Sequence, residues 1–408
     1  MLFLALTLVL IGVYPFFISG QLENSLVRWM ILVLAGSTLV DYFFLGKYRV
    51  LLTANQEGYV VALIQAAGTI VNMVVSIFLI YIGAGVLFVK AVATGVYMLR
   101  LVLVKIYVKR KYPALDFYAE PNEGALKQKN AALLHQVVGI IVNNTDTTVL
   151  TICLGAKSLL EVSVYGIYMM VVNAVNQLMT SFSNGLTAGF GEVIAKNEEE
   201  TLKKSYSSYE YMYFVIMFIV IACMGVLILP FVGVYTINLT DVQYVRPVLG
   251  ILFTLIVFMQ NVRIPGLTII CAAGHYKETR YQAILEAVIN ITVSLGLVWK
   301  FGMAGVLLGT VCSYGYRSFE IVFYTSRHLV KGCAKKSMFR ILRNVFTVAI
   351  LCTVGTYVIP QEITSFTTWF LYAIGMGLTS VFFVVVINYV VEPDEFMQLR
   401  HRVNDIIK

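Results

Sequence analysis

Apolar residues run along this chain in long continuous stretches, broken at near-regular intervals by short polar segments. A run of roughly 20 apolar residues, coiled as an α-helix, matches the hydrocarbon thickness of a bilayer. Taken in order, the runs predict twelve spans: 1–19, 26–45, 59–82, 84–107, 130–155, 161–186, 210–234, 247–270, 281–299, 303–326, 341–359 and 366–391. The alternating, roughly ten-residue segments of a membrane β-barrel do not occur, and helices are the other structure that satisfies every backbone group in lipid. The opening run to Ser19 has no basic start and no small-residue cleavage site, so it reads as a true helix and not as a signal peptide.

Two basic connections organise the spans. The segment KRKYPALDFYAEPNEGALKQK (109–129) combines prolines, a glycine and mixed charge, and RHLVKGCAKKSMFR (327–340) precedes the last two runs. The pattern therefore predicts an all-α integral membrane protein with a partial N-terminal lobe of four helices over 1–107 and a linker over 108–129. A C-terminal lobe of six helices over 130–326, a loop over 327–340, two extra helices over 341–391 and a tail over 392–408 complete it.

Composition agrees with this reading and narrows function. At 408 residues, 59% hydrophobic and 13% charged, with a mean hydropathy of +0.82, the chain lies outside the range of soluble enzymes, nucleic-acid-binding domains, disulfide scaffolds and disordered proteins. The net charge of +8 belongs to topology and not to a nucleic-acid footprint. Of the 30 Lys and Arg residues, 22 flank or lie in the connections after even-numbered spans and 4 belong with those after odd ones. That asymmetry predicts both termini, the linker and the 327–340 loop on the cytoplasmic side. Six cysteines show no CxxC spacing, so metal and redox chemistry have no support.

No GxxxxGK[ST], strand-borne GxGxxG, HExxH or GxSxG motif is present, which disfavours ATP-driven transport by this chain alone and standard hydrolysis. The remaining chemistry lies in ionisable groups inside spans, which are expensive in hydrocarbon and default to pathway or pairing roles. Lys90 and Arg100 stand on the fourth span, Arg263 on the eighth and Arg317 on the tenth. Arg317 and Glu320, three apart, are spaced either to neutralise each other or to leave a cation free for ligand. Lys90 and Arg100 read either as snorkelling side chains or as cavity cations. Arg263 sits in QNVRIPGLTIICAAG, where Pro265 and Gly266 interrupt a span; such interruptions beside charges mark transporter sites, or else the arginine caps carbonyls freed by a proline kink.

The fifth span, NAALLHQVVGIIVNNTDTTVLTICLG, carries the densest polar run. His135 and Asp146 are close to three turns apart and share a face, with Gln136 and Asn143 on a neighbouring one. A proton or cation coupling site at Asp146 and His135 fits, as does an interface glued by Asn143, Asn144 and Thr145. Glu286, with Asn290 one turn on, repeats the pattern on the ninth span as either a coupling group or an interhelical hydrogen bond. The sixth span has Tyr165, Tyr168, Asn173, Asn176, Ser181, Ser183 and Asn184, suited to sugar or headgroup contact or to small-residue packing. Four intramembrane cations beside few anions predict an anionic ligand with a polar body.

The stretches DYFFLGKYRVLLTANQEGYV (41–60), VSVYGIYMMVVNAV (162–175), SFSNGLTAGFGEVIAK (181–196), LPFVGVYT (229–236), RIPGLTIICAAGHYKETR (263–280), INITVSLGLVWKFGMAGVLLGT (289–310) and YRSFEIVFY (316–324) resemble, in order and spacing, the polysaccharide and O-antigen flippases of the multidrug/oligosaccharidyl-lipid/polysaccharide exporter superfamily. The resemblance covers nearly the whole chain. It implies a two-lobe transporter in a bacterial cytoplasmic membrane that carries undecaprenyl-pyrophosphate-linked oligosaccharide to the outer leaflet by alternating access. It further implies H⁺ or Na⁺ coupling, no other cofactor, and a polysaccharide polymerase and glycosyltransferases as partners. By position, Arg263 and Arg317 match basic sites of the family's second lobe and Lys90 one of its first. The family has fourteen helices as six, six and two; here the pattern is four, six and two, and Met1 opens where the third family helix would stand.

Three functions follow in order of expectation: a lipid-linked oligosaccharide flippase; a small-molecule or drug cation antiporter of the same superfamily, which would prefer buried carboxylates; and a membrane polysaccharide polymerase, which the very short external loops disfavour.

Overall fold

The computed structural model describes residues 24–55, 57–113, 115, 128–155, 158–183, 186–360 and 362–397, with helical residues 7, 8, 11 and 12. The first predicted span thus lies largely outside the described residues, as do most of the 108–129 linker and the end of the tail. No strand occurs among the described residues. The chain divides into two compact units, Met1–Asn122 and Glu123–Lys408.

In the first unit, α1 (Asn24–Val40) continues through a π-helical turn (Asp41–Leu45) into α2 (Gly46–Ala54), followed by α3 (Gly58–Tyr81) and α4 (Val86–Lys111). Arg49 reaches back to Asp41 at 2.7 Å across the π turn. Leu45, Tyr48, Leu52, Val61, Val104 and Val108 form its core. Glu57, just before α3, accepts from Lys111 Nζ at 2.6 Å and from the Tyr112 hydroxyl at 2.9 Å, which ties the start of α3 to the end of α4. Helix α4 ends with Lys109, Arg110 and Lys111, where positive charge complements the helix dipole.

The second unit contains α5 (Lys129–Cys153), α6 (Ser158–Ser183), the short α7 (Leu186–Ala195) and the long α8 (Glu199–Tyr235). After them come α9 (Pro247–Val262), α10 (Ile264–Ala272), α11 (Arg280–Phe301), α12 (Met303–His328), α13 (Ala334–Val358) and α14 (Phe366–Val391). Its core is built on α8, whose Tyr213, Phe214, Met217 and Phe218 are fully enclosed. Helices α11 and α12 form a hairpin turned at Gly302, which has a left-handed φ of +56°. They approach so closely that a Cβ at Gly309 would lie 2.2 Å from Ser294 Oγ, and one at Gly305 would lie 2.3 Å from the Leu297 carbonyl.

Helices α13 and α14 dock on α8 through a charged cluster. Arg340, 1% exposed, donates to Glu210 at 3.0 Å and to Glu392 at 2.7 Å, while Lys336 reaches Glu395 at 2.6 Å. Among the described residues, eight helical spans are long and apolar enough to cross a membrane, with α9 and α10 counted as one. The chain is a multi-pass membrane protein. Helices α5 and α12 are long enough but fall outside that set, since both carry many polar residues along their length.

Candidate functional site

The site lies in the second unit, between α5, the α9–α10 joint, α11 and α12. Arg263 occupies the joint itself: α9 ends at Val262, α10 begins at Ile264, and Pro265 stands in the first turn of α10. Proline there lacks the N–H that would continue the preceding helix, and the residue before the new helix is freed to turn its side chain inward. The guanidinium of Arg263 lies 4.5 Å from the centroid of the Tyr314 ring and donates to Glu286 of α11. The second Glu286 oxygen is 3.5 Å from Arg317 Nε, and Arg317, nearly fully buried on α12, also donates to Glu320. A cavity of about 240 Å³ opens beside this chain of charges, with His135, Gln136, Asn143 and Tyr276 on its wall.

A second cavity, of about 400 Å³, shares Val142, Asn143 and Tyr314 with the first as a common wall. The Tyr314 hydroxyl donates to Asn143 Oδ1 at 3.1 Å across that wall. On an apolar wall that includes Met169, Val172, Phe253 and Ile256, the second cavity presents uncharged amides and hydroxyls, Asn173, Asn176, Gln260, Tyr165 and Thr310, around one carboxylate, Asp146. Thr310 donates to Asp146 at 2.7 Å and Tyr165 at 3.3 Å, while Asn290 donates to Thr310 at 3.0 Å. The Oδ1 atom of Asn290 is buried without a partner. Asn176, Gln260, Asn261 and Tyr213 form a continuous hydrogen-bonded row behind the amide wall. One cavity therefore holds two arginines with internal counter-charges, and the other offers hydrogen bonds of both senses with little charge.

The sequence-predicted residues divide by location. Arg263, Arg317, Glu286, His135 and Asn143 come together at the first cavity; Tyr165, Asp146 and Asn143 line the second; Glu320 joins through Arg317. His135 Nε2 lies 2.9 Å from the Tyr276 carbonyl oxygen and 3.3 Å from Thr279 Oγ1. Tyr168 lines neither cavity: it is fully enclosed, stacks on Phe253 at 5.0 Å and donates to the Tyr244 carbonyl at 3.0 Å. Lys90 and Arg100 belong to the first unit. Lys90 is exposed, and Arg100 is buried, donating to Thr69 at 3.1 Å and lying 4.6 Å from the Tyr97 centroid. Asn144 and Ser181 bond to carbonyls of their own helices, and Asn184 lies outside the described residues.

One expectation needs correction. The second unit does not hold buried cations in excess, because Arg263 and Arg317 are matched by Glu286 and Glu320. The i, i+3 partner of Arg317 was visible in sequence; Glu286 lies on another helix, and no local spacing shows that it faces both arginines. Tyr314, Thr310 and Gln260 escaped sequence reading. A signal existed for two of them, since Thr310, Tyr314 and Arg317 step by four and three along one face of α12. The Arg340, Glu210 and Glu392 cluster, whose members are far apart in sequence, gave none.

No family model matches the chain, and no match was found among curated proteins. Among solved structures, it is similar to the lipid II flippase MurJ in an inward closed conformation, with a TM-score of 0.62 and 14% sequence identity. The likeness covers 95% of this chain and 81% of that one. The two share a fold.

Proposed function

We propose that this chain is a transporter, not an enzyme, that moves a lipid-linked, phosphate-bearing saccharide across a bacterial cytoplasmic membrane. The observation that carries this reading is the shared wall at Asn143 and Tyr314, which sets a two-arginine cavity against one lined by amides and hydroxyls. A pyrophosphate-linked oligosaccharide has the matching division: phosphoryl oxygens suited to guanidinium forks, and a sugar body suited to amide and tyrosine hydrogen bonds. The likeness to a lipid II flippase supports the same class of cargo. The finer reading is an undecaprenyl-pyrophosphate-linked repeat unit for capsular polysaccharide, exopolysaccharide or O-antigen, passed on to a polysaccharide polymerase. Lys90 and Arg100, in the first unit, are kept as further candidate cations for cargo phosphate.

Coupling to H⁺ or Na⁺ would fall to Asp146, a buried carboxylate that accepts from the hydroxyls of Thr310 and Tyr165, with His135, Glu286 and Glu320 as further proton-bearing groups. A second reading, export of an organic cation, rests on the same Asp146 in the less charged cavity.

The test is reconstitution in liposomes with a labelled pyrophosphate-linked oligosaccharide, following loss of headgroup from one leaflet. Movement that disappears in Arg263→Ala supports the reading. Movement retained when Lys90, Arg263 and Arg317 are all changed to alanine removes it, and Asp146-dependent efflux of organic cations replaces it with the second.

A further inference from the structure

Arg263 and Arg317 come from different helices, yet both turn toward one carboxylate, that of Glu286. One Glu286 oxygen faces each guanidinium, which is the arrangement an oxyanion of phosphate adopts between two arginines. Glu320 takes the far side of Arg317, so the four groups sum to zero formal charge. The remaining titratable side chains facing the cavity are His135, Cys271, Tyr276 and Tyr314; none is a carboxylate. An arriving phosphate therefore meets no net positive charge here unless a carboxylate yields its place.

Glu286 is the one positioned to yield. It borders the open space, whereas Glu320 is not on the cavity wall. Its contact with Arg317 is long, at 3.5 Å, beyond ordinary hydrogen-bond distance. Arg263 does not depend on Glu286 alone, because its guanidinium also lies over the Tyr314 ring.

We infer that Glu286 is an internal counter-anion that a phosphate must displace from Arg263 and Arg317, and that this competition sets how tightly the cavity holds its ligand and how readily it lets go. The inference rests on the reading of this cavity as the phosphate site. Its physical content is that Glu286 opposes binding in the same location where the two arginines favour it. A transporter that bound pyrophosphate to two unopposed arginines in a low-dielectric cavity would release it slowly; an internal competitor re-forms its own ion pairs as the ligand leaves.

The experiment measures binding of inorganic pyrophosphate, and of a short polyprenyl pyrophosphate, to the purified full chain in detergent. Glu286→Gln, which keeps the size of the side chain and removes its charge, is expected to bind both about tenfold more tightly than wild type. Glu286→Asp, which keeps the charge but withdraws it by one methylene, is expected to bind about threefold more tightly, and serves if the glutamine variant fails to fold. In liposomes, Glu286→Gln is expected to lower both the half-saturating cargo concentration and the maximal rate.

Equal or weaker binding by both Glu286 variants, with binding still lost in Arg263→Ala, would overturn the inference and leave the phosphate site standing. A gain confined to the polyprenyl form would overturn it too, since the phosphate oxygens are the competitor. Wild-type binding retained in both Arg263→Ala and Arg317→Ala would remove the phosphate site itself.

Discussion

The Thr310 hydroxyl donates to the Asp146 carboxylate at 2.7 Å, joining α12 to α5 at a buried acid inside the spanning region. Removing that donor by Thr310→Val leaves the carboxylate with Tyr165 alone and is expected to cost about 1–3 kcal/mol, the usual penalty for an unsatisfied buried polar group. Thermal unfolding of the purified variant checks it.

Asp146→Asn keeps the shape of that junction but cannot carry a charge or a titratable proton. Transport driven by an imposed H⁺ or Na⁺ gradient is expected to fall at least about tenfold, a loss near 1.4 kcal/mol of driving interaction, while pyrophosphate binding stays within about threefold of wild type. Parallel gradient-driven and equilibrium-binding assays distinguish the two effects; loss of both would remove Asp146 from coupling.

Arg340→Ala removes the cation that faces Glu210 inside the α8–α13 interface. Breaking a buried pair on one side is expected to destabilise by about 3–5 kcal/mol, because the abandoned charge stays buried. The double change of Arg340→Met with Glu210→Gln should recover part of that loss. Melting temperatures of the three proteins in one detergent give the comparison.

Glu395 lies just beyond the last span. Burial pushes its carboxyl up, but the hydrogen bonds from Lys336 and Ser207, together with the charges of Lys336 and Arg340, outweigh burial and hold it below its ordinary value of 4.5. A carboxylate with a lowered folded-state pKa stabilises the fold above the unfolded-state value, and that contribution is lost as pH falls through the folded value. Wild type should therefore melt above Glu395→Gln at neutral pH, with the gap closing as pH drops below about 4. A gap independent of pH would show that the ion pair adds nothing.

Gly309→Ala tests the close approach of the α11–α12 hairpin. The added methyl would meet both the hydroxyl and the backbone nitrogen of Ser294, so the helices must part. A loss of about 1–3 kcal/mol is expected from overpacking, seen as a lower melting temperature. Pyrophosphate binding should change with it, because Glu286 and Arg317 are carried on those two helices.

Much of this architecture was legible in the apolar runs. The predicted span over 247–270 corresponds to α9 with α10, and the interruption read from Pro265 and Gly266 falls at Arg263. This worked because a proline acts on its own helix, within reach of local sequence. The shared face of His135 and Asp146, with Asn143 on a neighbouring one, was legible for the same reason, as helical periodicity fixes it. Tertiary partners were not: Glu286 reaches Arg263 across 23 positions, and Arg340 meets Glu210 across 130. Nor was the difference between Tyr165 and Tyr168 visible. They stand three residues apart with the same chemistry and both pack on Phe253, but the Tyr168 hydroxyl turns to the Tyr244 backbone while that of Tyr165 turns to Asp146 in the cavity.

The glycine-tight hairpin of α11 and α12 has a mechanical consequence. Glu286, Arg317 and Glu320 ride on it together, so the backbone positions that carry them move as one piece. Arg263 rides on the joint between α9 and α10, a separate piece. Any sliding of that joint against the hairpin stretches the Arg263–Glu286 contact and leaves the Arg317–Glu320 contact unchanged. Of the two neighbouring ion pairs, one is an adjustable gauge of helix position and the other is its fixed reference mark.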